Sequence, residues 1–178
     1  MANSRAITLV GVVGFALALA AASQVALPLP FTPVPITMQP LLVVLAGLWL
    51  GSWAGATSML LYLVAGALGL PVFAPMGAPG FARLLGPTGG YLLAYPAAAW
   101  VAGRVGHGAG TYLRRVLAAA AGILVLHVGG ATQLTILTGD LSRAIAIGVL
   151  PFLALDVLKA FAAGLLSATP RSAKKESA

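Results

Sequence analysis

The chain contains no cysteine, which excludes disulfides, thiolate nucleophiles and thiolate metal sites. Charge is nearly as scarce. Only 7% of the 178 residues are Asp, Glu, Lys or Arg, where a soluble domain carries about 25%. Acid is the scarcer sign, with three Asp/Glu against ten Lys/Arg. So few charges cannot cover a water-soluble globule, and 60% of the residues are hydrophobic. The mean hydropathy of +1.02 agrees, so the bilayer is the expected solvent. A soluble enzyme, a disordered chain and a disulfide scaffold are thereby excluded. The net charge of +7 comes without any run of five basic residues. Nucleic-acid binding needs a concentrated basic patch, so no nucleic acid is expected as a partner.

Catalytic signatures are also missing. The sequence has no G-x-x-x-x-G-K-[ST] segment, no nucleophile elbow, no H-E-x-x-H and no paired carboxylate. No enzymatic activity, cofactor or metal is expected. A chain without a nucleotide site cannot itself drive ATP-powered uphill transport.

What is present is a series of apolar runs. A spanning helix needs about 20 predominantly apolar residues. Ile7–Leu27 meets this, and it exceeds the roughly 7–15 residues of a signal-peptide core, so it reads as a retained span. Pro28, Pro30, Pro33 and Pro35 then forbid helix, because proline lacks the N–H and restricts the residue before it. Pro40–Leu50 and Trp53–Leu70 follow, and the Gly51-Ser52 break predicts two short helices rather than one. A Gly/Pro-rich connection covers Gly69–Gly90. Tyr91–Val105, Leu117–Leu137 and Ala144–Ala168 complete six runs, the last with Pro151 inside it. The expected fold class is an all-α membrane protein with six transmembrane helices. Residues 1–169 form one membrane domain and 170–178 a polar tail.

Six spans put both termini on one side. That side would hold Arg5, Arg104, Arg114, Arg115, Arg171, Lys174 and Lys175, and the other only Arg83 and Arg143. The positive-inside rule then places both termini in the cytoplasm.

Apart from Arg104 at the edge of the fourth run, Asp156 and Lys159 are the only charged residues inside an apolar run. At i and i+3 they share a helix face. Charge at membrane depth is costly, so the pair is either an internal ion pair that fixes packing or a polar ligand site. Gln39 and Tyr91 begin the second and fourth runs, where each is either an interfacial polar residue or a ligand contact. Ala16-x-x-x-Ala20 and Ala18-x-x-x-Ala22 in the first run allow close helix approach. His127, alone in the fifth run, reads as a hydrogen-bonded core histidine.

Four segments, in order, resemble a known family. They are Pro33-Val-Pro-Ile-Thr-Met-Gln39-Pro-Leu41; Leu60-Leu-Tyr62 leading to Gly66-x-x-Gly69-Leu-Pro71-Val-Phe73-Ala74; Leu85-Gly-Pro-Thr-Gly-Gly-Tyr91-Leu; and Leu150-Pro-Phe152 with Asp156 and Lys159-Ala160. Together they resemble the BioY family, the biotin-binding S component of energy-coupling factor (ECF) transporters. The likeness runs from Ile7 to Ala168. It implies a six-helix S-component fold in the cell (plasma) membrane, with biotin as the ligand. Gln39, Tyr91, Asp156 and Lys159 would bind it. Gating loops would be Pro28–Met38, with Pro33, Pro35 and Thr37, and Gly69–Gly90, with Phe73, Gly86 and Thr88. Energy would come from an ECF transmembrane subunit and two ATPase subunits, with Ala16 and Ala20 docking on the former; a homo-oligomer is compatible with this. At Gly130-Ala-Thr-Gln133-Leu134 the chain departs from the aromatic residue expected in the fifth helix.

The competing class is a self-sufficient secondary transporter or channel for another small vitamin-like solute. It would call for internal repeats or a series of intramembrane acids, and only Asp156 is present.

Overall fold

The computed structural model describes residues 2–168, with side chains from Arg5 onward. The tail expected at 170–178, with Arg171, Lys174 and Lys175, lies outside the described residues. Helix α1 runs Ala2–Gln24. The proline-rich segment then folds back on itself as a hairpin of β1 (Ala26–Leu29) and β2 (Thr32–Thr37), pairing Ala26 with Thr37 and Leu29 with Thr32. Proline is confined to edges in sheets because it cannot donate to the ladder. In β2 the prolines alternate with inward-facing residues, so Thr32 and Val34 are buried while Pro33 points out.

Helices α2 (Gln39–Leu50) and α3 (Ser52–Ala67) are separate, as the Gly51-Ser52 break predicts. Gly51 sits at φ +83°, a left-handed conformation open to glycine at little cost. The connection after α3 carries one short helix, α4 (Ala82–Leu85), before α5 (Gly89–Gly106) and the long α6 (Tyr112–Thr138). Gly90 and Gly129 let α5 and α6 touch: a Cβ on Gly90 would lie 2.2 Å from the Gly129 carbonyl oxygen.

The expected sixth helix over Ala144–Ala168 is instead two helices, α7 (Leu141–Gly148) and α8 (Leu153–Leu166), bent by 56°. Pro151 causes the break. It has no N–H to give the Ile147 carbonyl and its ring clashes with that carbonyl. Two carbonyls at the break find donors elsewhere. Thr32 Oγ1 donates to Ile147 O at 2.6 Å, and the Tyr91 hydroxyl donates to Gly148 O.

By length and composition, two described helices can cross a bilayer singly, Arg5–Gln24 and Tyr112–Thr138, and α7 with α8 makes a third if the bent pair is one span. Helices α2 and α3 have 12 and 16 residues. At about 1.5 Å per residue neither reaches the roughly 30 Å of a hydrocarbon core.

The bundle has two distinct ends. At one, His107 Nδ1 lies 3.0 Å from Leu48 O beside the α2–α3 break, and Arg115 Nε donates to Gly164 O at 3.0 Å. Exposed Arg104 and Arg114 and the exposed rings of Trp49 and Trp53 belong to this end. The hairpin, the α3–α5 connection and α7 gather at the other end, above a polar cavity.

Candidate functional site

The cavity is built from one buried carboxylate outward. Asp156 lies in the first turn of α8, just past the break, which aims it into the bundle. Lys159 Nζ donates to Asp156 Oδ1 at 2.8 Å, and His127 Nε2 of α6 lies 2.9 Å from Oδ2. One carboxylate oxygen is therefore met from α8 itself and the other from α6. All three side chains are buried and all line the cavity. Removing any one would strand the others in low dielectric.

Gln39 enters from the start of α2, where its backbone N–H donates to Thr37 Oγ1 at 3.3 Å. Its Nε2 donates to the Tyr62 hydroxyl at 2.9 Å. Tyr62 in turn stacks on Tyr95, ring centroids 6.2 Å apart, and meets the edge of Phe73 at 5.4 Å. Phe73 is held over the cavity by the end of α1. Buried Ser23 donates to Val72 O at 2.6 Å, and Gln24 Nε2 donates to Phe73 O at 3.2 Å. Tyr91 stands edge-on to His127 with centroids 6.5 Å apart.

Gln39, Tyr91, Asp156 and Lys159 thus line one cavity, together with Pro35, Thr37, Phe73 and Thr88. Pro33 and Gly86 line a second, outer cavity between the hairpin and the α3–α5 connection. Where an aromatic residue was expected in the fifth helix, Gly130 leaves room for the Tyr91 ring, which a Cβ there would meet at 2.0 Å. Nearby Gln133 clips the connection in place, donating to Leu85 O at 3.2 Å.

The alanine reading needs correction. Ala16 is buried in the core and Ala20 packs against it, so this face is turned into the bundle. The outward side of α1 carries Gly14 and Ala18 instead. Helix α1 is apolar all round, so composition could not tell its inner face from its outer one.

Two residues enter the site that sequence reasoning missed. His127 is a buried histidine with a polar partner, as its place in the fifth run implies, and it also lines the cavity; its signal is being the lone titratable group of that run in a bundle with one acid to satisfy. In the sequence Arg83 is only a charge on the far side. It is buried at 6% exposure and lines both cavities, and its Nε has no hydrogen-bond partner among the described residues. No carboxylate pairs with it among those residues. Burial lowers its pKa from the ordinary arginine value, yet an arginine stays charged in a protein. An uncompensated buried cation facing a cavity is a place for an anion.

Comparison with known proteins gives a consistent picture. The family model described as the BioY family matches residues 1–176. The probable biotin transporter BioY of Pyrococcus horikoshii is 43% identical over 135 residues, 76% of this chain and 79% of that protein. The biotin transporter BioY of Thermotoga maritima is 33% identical over 139 residues, 78% of this chain and 82% of that one. Among solved structures, the S-component for biotin from an ECF-type ABC transporter superposes with a TM-score of 0.84 at 24% identity. It covers 94% of this chain and 92% of its own.

Proposed function

The chain belongs to the BioY family, and we propose that it is a substrate-binding membrane subunit for biotin uptake. The observation that carries the reading is the pairing of opposite demands in one cavity. Asp156, held between Lys159 and His127, faces the same space as the unpaired Arg83. Biotin has matching parts: a ureido group with N–H donors and a carbonyl acceptor, an apolar bicycle and chain, and a carboxylate.

The charges choose the orientation. A carboxylate beside Asp156 would set like charges together, and Lys159 and His127 are already engaged by Asp156. The ureido N–H groups therefore donate to Asp156 and the ureido oxygen accepts from Lys159. Arg83 receives the carboxylate as a charge-assisted bond. The rings of Tyr91, Tyr95 and Phe73 and the Leu92 and Leu126 side chains enclose the apolar part, as small-molecule sites usually do.

The setting follows from the same reading. Residues 1–169 form one multi-pass domain of the cell membrane with six crossings, the short helices crossing together with the loops that cap them. The end with Arg104, Arg114 and the tryptophans faces the cytoplasm, since basic residues favour that side and tryptophan the interface. The hairpin end admits biotin from outside. Uptake against a gradient would normally draw on an energising partner, an ECF transmembrane subunit with its ATPases, docked on the outward face of α1. Binding of labelled biotin to the purified chain tests the reading: saturable binding displaced by unlabelled biotin is expected, and its absence in well-folded protein would overturn it.

A further inference from the structure

The inner cavity does not end at Arg83. It shares Pro35, Arg83 and Thr88 with the outer cavity, so these three form a neck between the two spaces. The outer space is the roomier, about 320 Å³ against about 70 Å³. Its remaining walls come from the hairpin, with Pro28, Thr32 and Pro33, and from the connection, with Met76, Gly77 and Ala82. None of its other lining residues is charged. The guanidinium reaches the outer wall, since a Cβ on Gly77 would lie 2.0 Å from Arg83 Nη1.

A pocket that only fitted a free acid would close around the carboxylate. Here the space continues past the group that would receive it. We propose that the outer cavity is an extension subsite, so that the protein also takes ligands whose carboxylate has been converted to an amide carrying a further chain. Biotinyl-lysine is the simplest of this class. Its bicycle would sit against Asp156 and Lys159, its amide carbonyl would accept from Arg83, and its lysyl part would lie between the hairpin and α4. The inference rests on the proposed biotin function and extends it to amide conjugates. The amide forgoes the charged bond to Arg83. A hydrogen bond to a charged group is worth about 1.5–3 kcal/mol, or roughly tenfold to a hundredfold in affinity.

The test is displacement of labelled biotin from the purified full chain by biotin and by biotinyl-lysine, in the parent and in Ala82→Trp and Ala78→Trp. Ala82 and Ala78 are exposed residues of the outer wall, so the bulky side chain fills the outer space without entering the core. The parent should bind biotinyl-lysine within about a hundredfold of biotin. The two variants should weaken biotinyl-lysine at least tenfold and leave biotin unchanged. Displacement weaker than that limit, or variants that affect both ligands equally or neither, would overturn the extension subsite. A parent that binds no biotin would instead overturn the function beneath it, and the subsite with it.

Discussion

The Thr32 hydroxyl, in the hairpin, donates at 2.6 Å to the carbonyl of Ile147, at the far end of the chain's sequence. That carbonyl is the one Pro151 leaves without a helical donor. The same break that turns Asp156 into the cavity thus provides the acceptor that fastens the hairpin over it. Thr32→Val keeps the shape and removes the donor. Leaving the carbonyl unsatisfied should cost about 1–3 kcal/mol, and the freed hairpin should let biotin leave faster. Thermal unfolding and the dissociation rate of labelled biotin, measured in one detergent, check this. An unchanged midpoint together with an unchanged rate would show that the bond does not hold the hairpin.

Asp156 is met from two helices at once: Lys159 Nζ donates to its Oδ1, and His127 Nε2 lies 2.9 Å from its Oδ2. Asp156→Asn removes the charge that balances Lys159 and replaces one accepting oxygen, available to a ureido N–H, by a donating NH2. A lost hydrogen bond to a charged group is worth about 1.5–3 kcal/mol, so biotin affinity should fall at least tenfold while the protein still inserts. Equal affinity in variant and parent would leave Asp156 as a packing ion pair.

Arg83 separates the two ends of the ligand. Arg83→Gln should weaken biotin by at least tenfold, since the carboxylate loses its charged partner. Neutral biotinamide should lose less, because a glutamine amide can still donate to its carbonyl. If both ligands weaken equally, the carboxylate does not sit at Arg83.

Topology can be read against a clean background because the chain has no cysteine. Ser142→Cys lies on exposed α7 beside Arg143, and Gly110→Cys lies in the exposed connection before α6. On intact cells an impermeant thiol reagent should label position 142 and not 110. The opposite pattern would invert the protein in the membrane.

Docking distinguishes the two faces of α1. Ala18 is exposed, whereas Ala16 is buried against the core. Ala18→Trp should block uptake and spare biotin binding, because it obstructs only a partner helix. Ala16→Trp should impair both, because overpacking a core typically costs about 1–3 kcal/mol. Normal uptake in Ala18→Trp would move the contact elsewhere.

Some of this protein was legible in the residues themselves. Scarce charge and abundant apolar residues set the solvent. Pro28 to Pro35 ruled out helix between α1 and α2, Gly51 marked the break after α2, and the i, i+3 spacing put Asp156 and Lys159 on one face, because backbone chemistry acts locally. What required the tertiary structure was rotation and partnership. Helix α1 is apolar on every side, and lipid is as apolar as a protein core, so no hydrophobic pattern says that Ala16 points in and Ala18 out. Pro151 announces a disturbance, but its 56° bend depends on Thr32 and Tyr91 arriving to satisfy the carbonyls beside it. His127 meets Asp156, and Arg83 enters the bundle uncompensated, only because helices distant in sequence pack side by side. Spacing along a chain determines which residues share a helix face. Which faces meet, and which buried charge is left for a ligand to neutralise, is decided by packing in three dimensions.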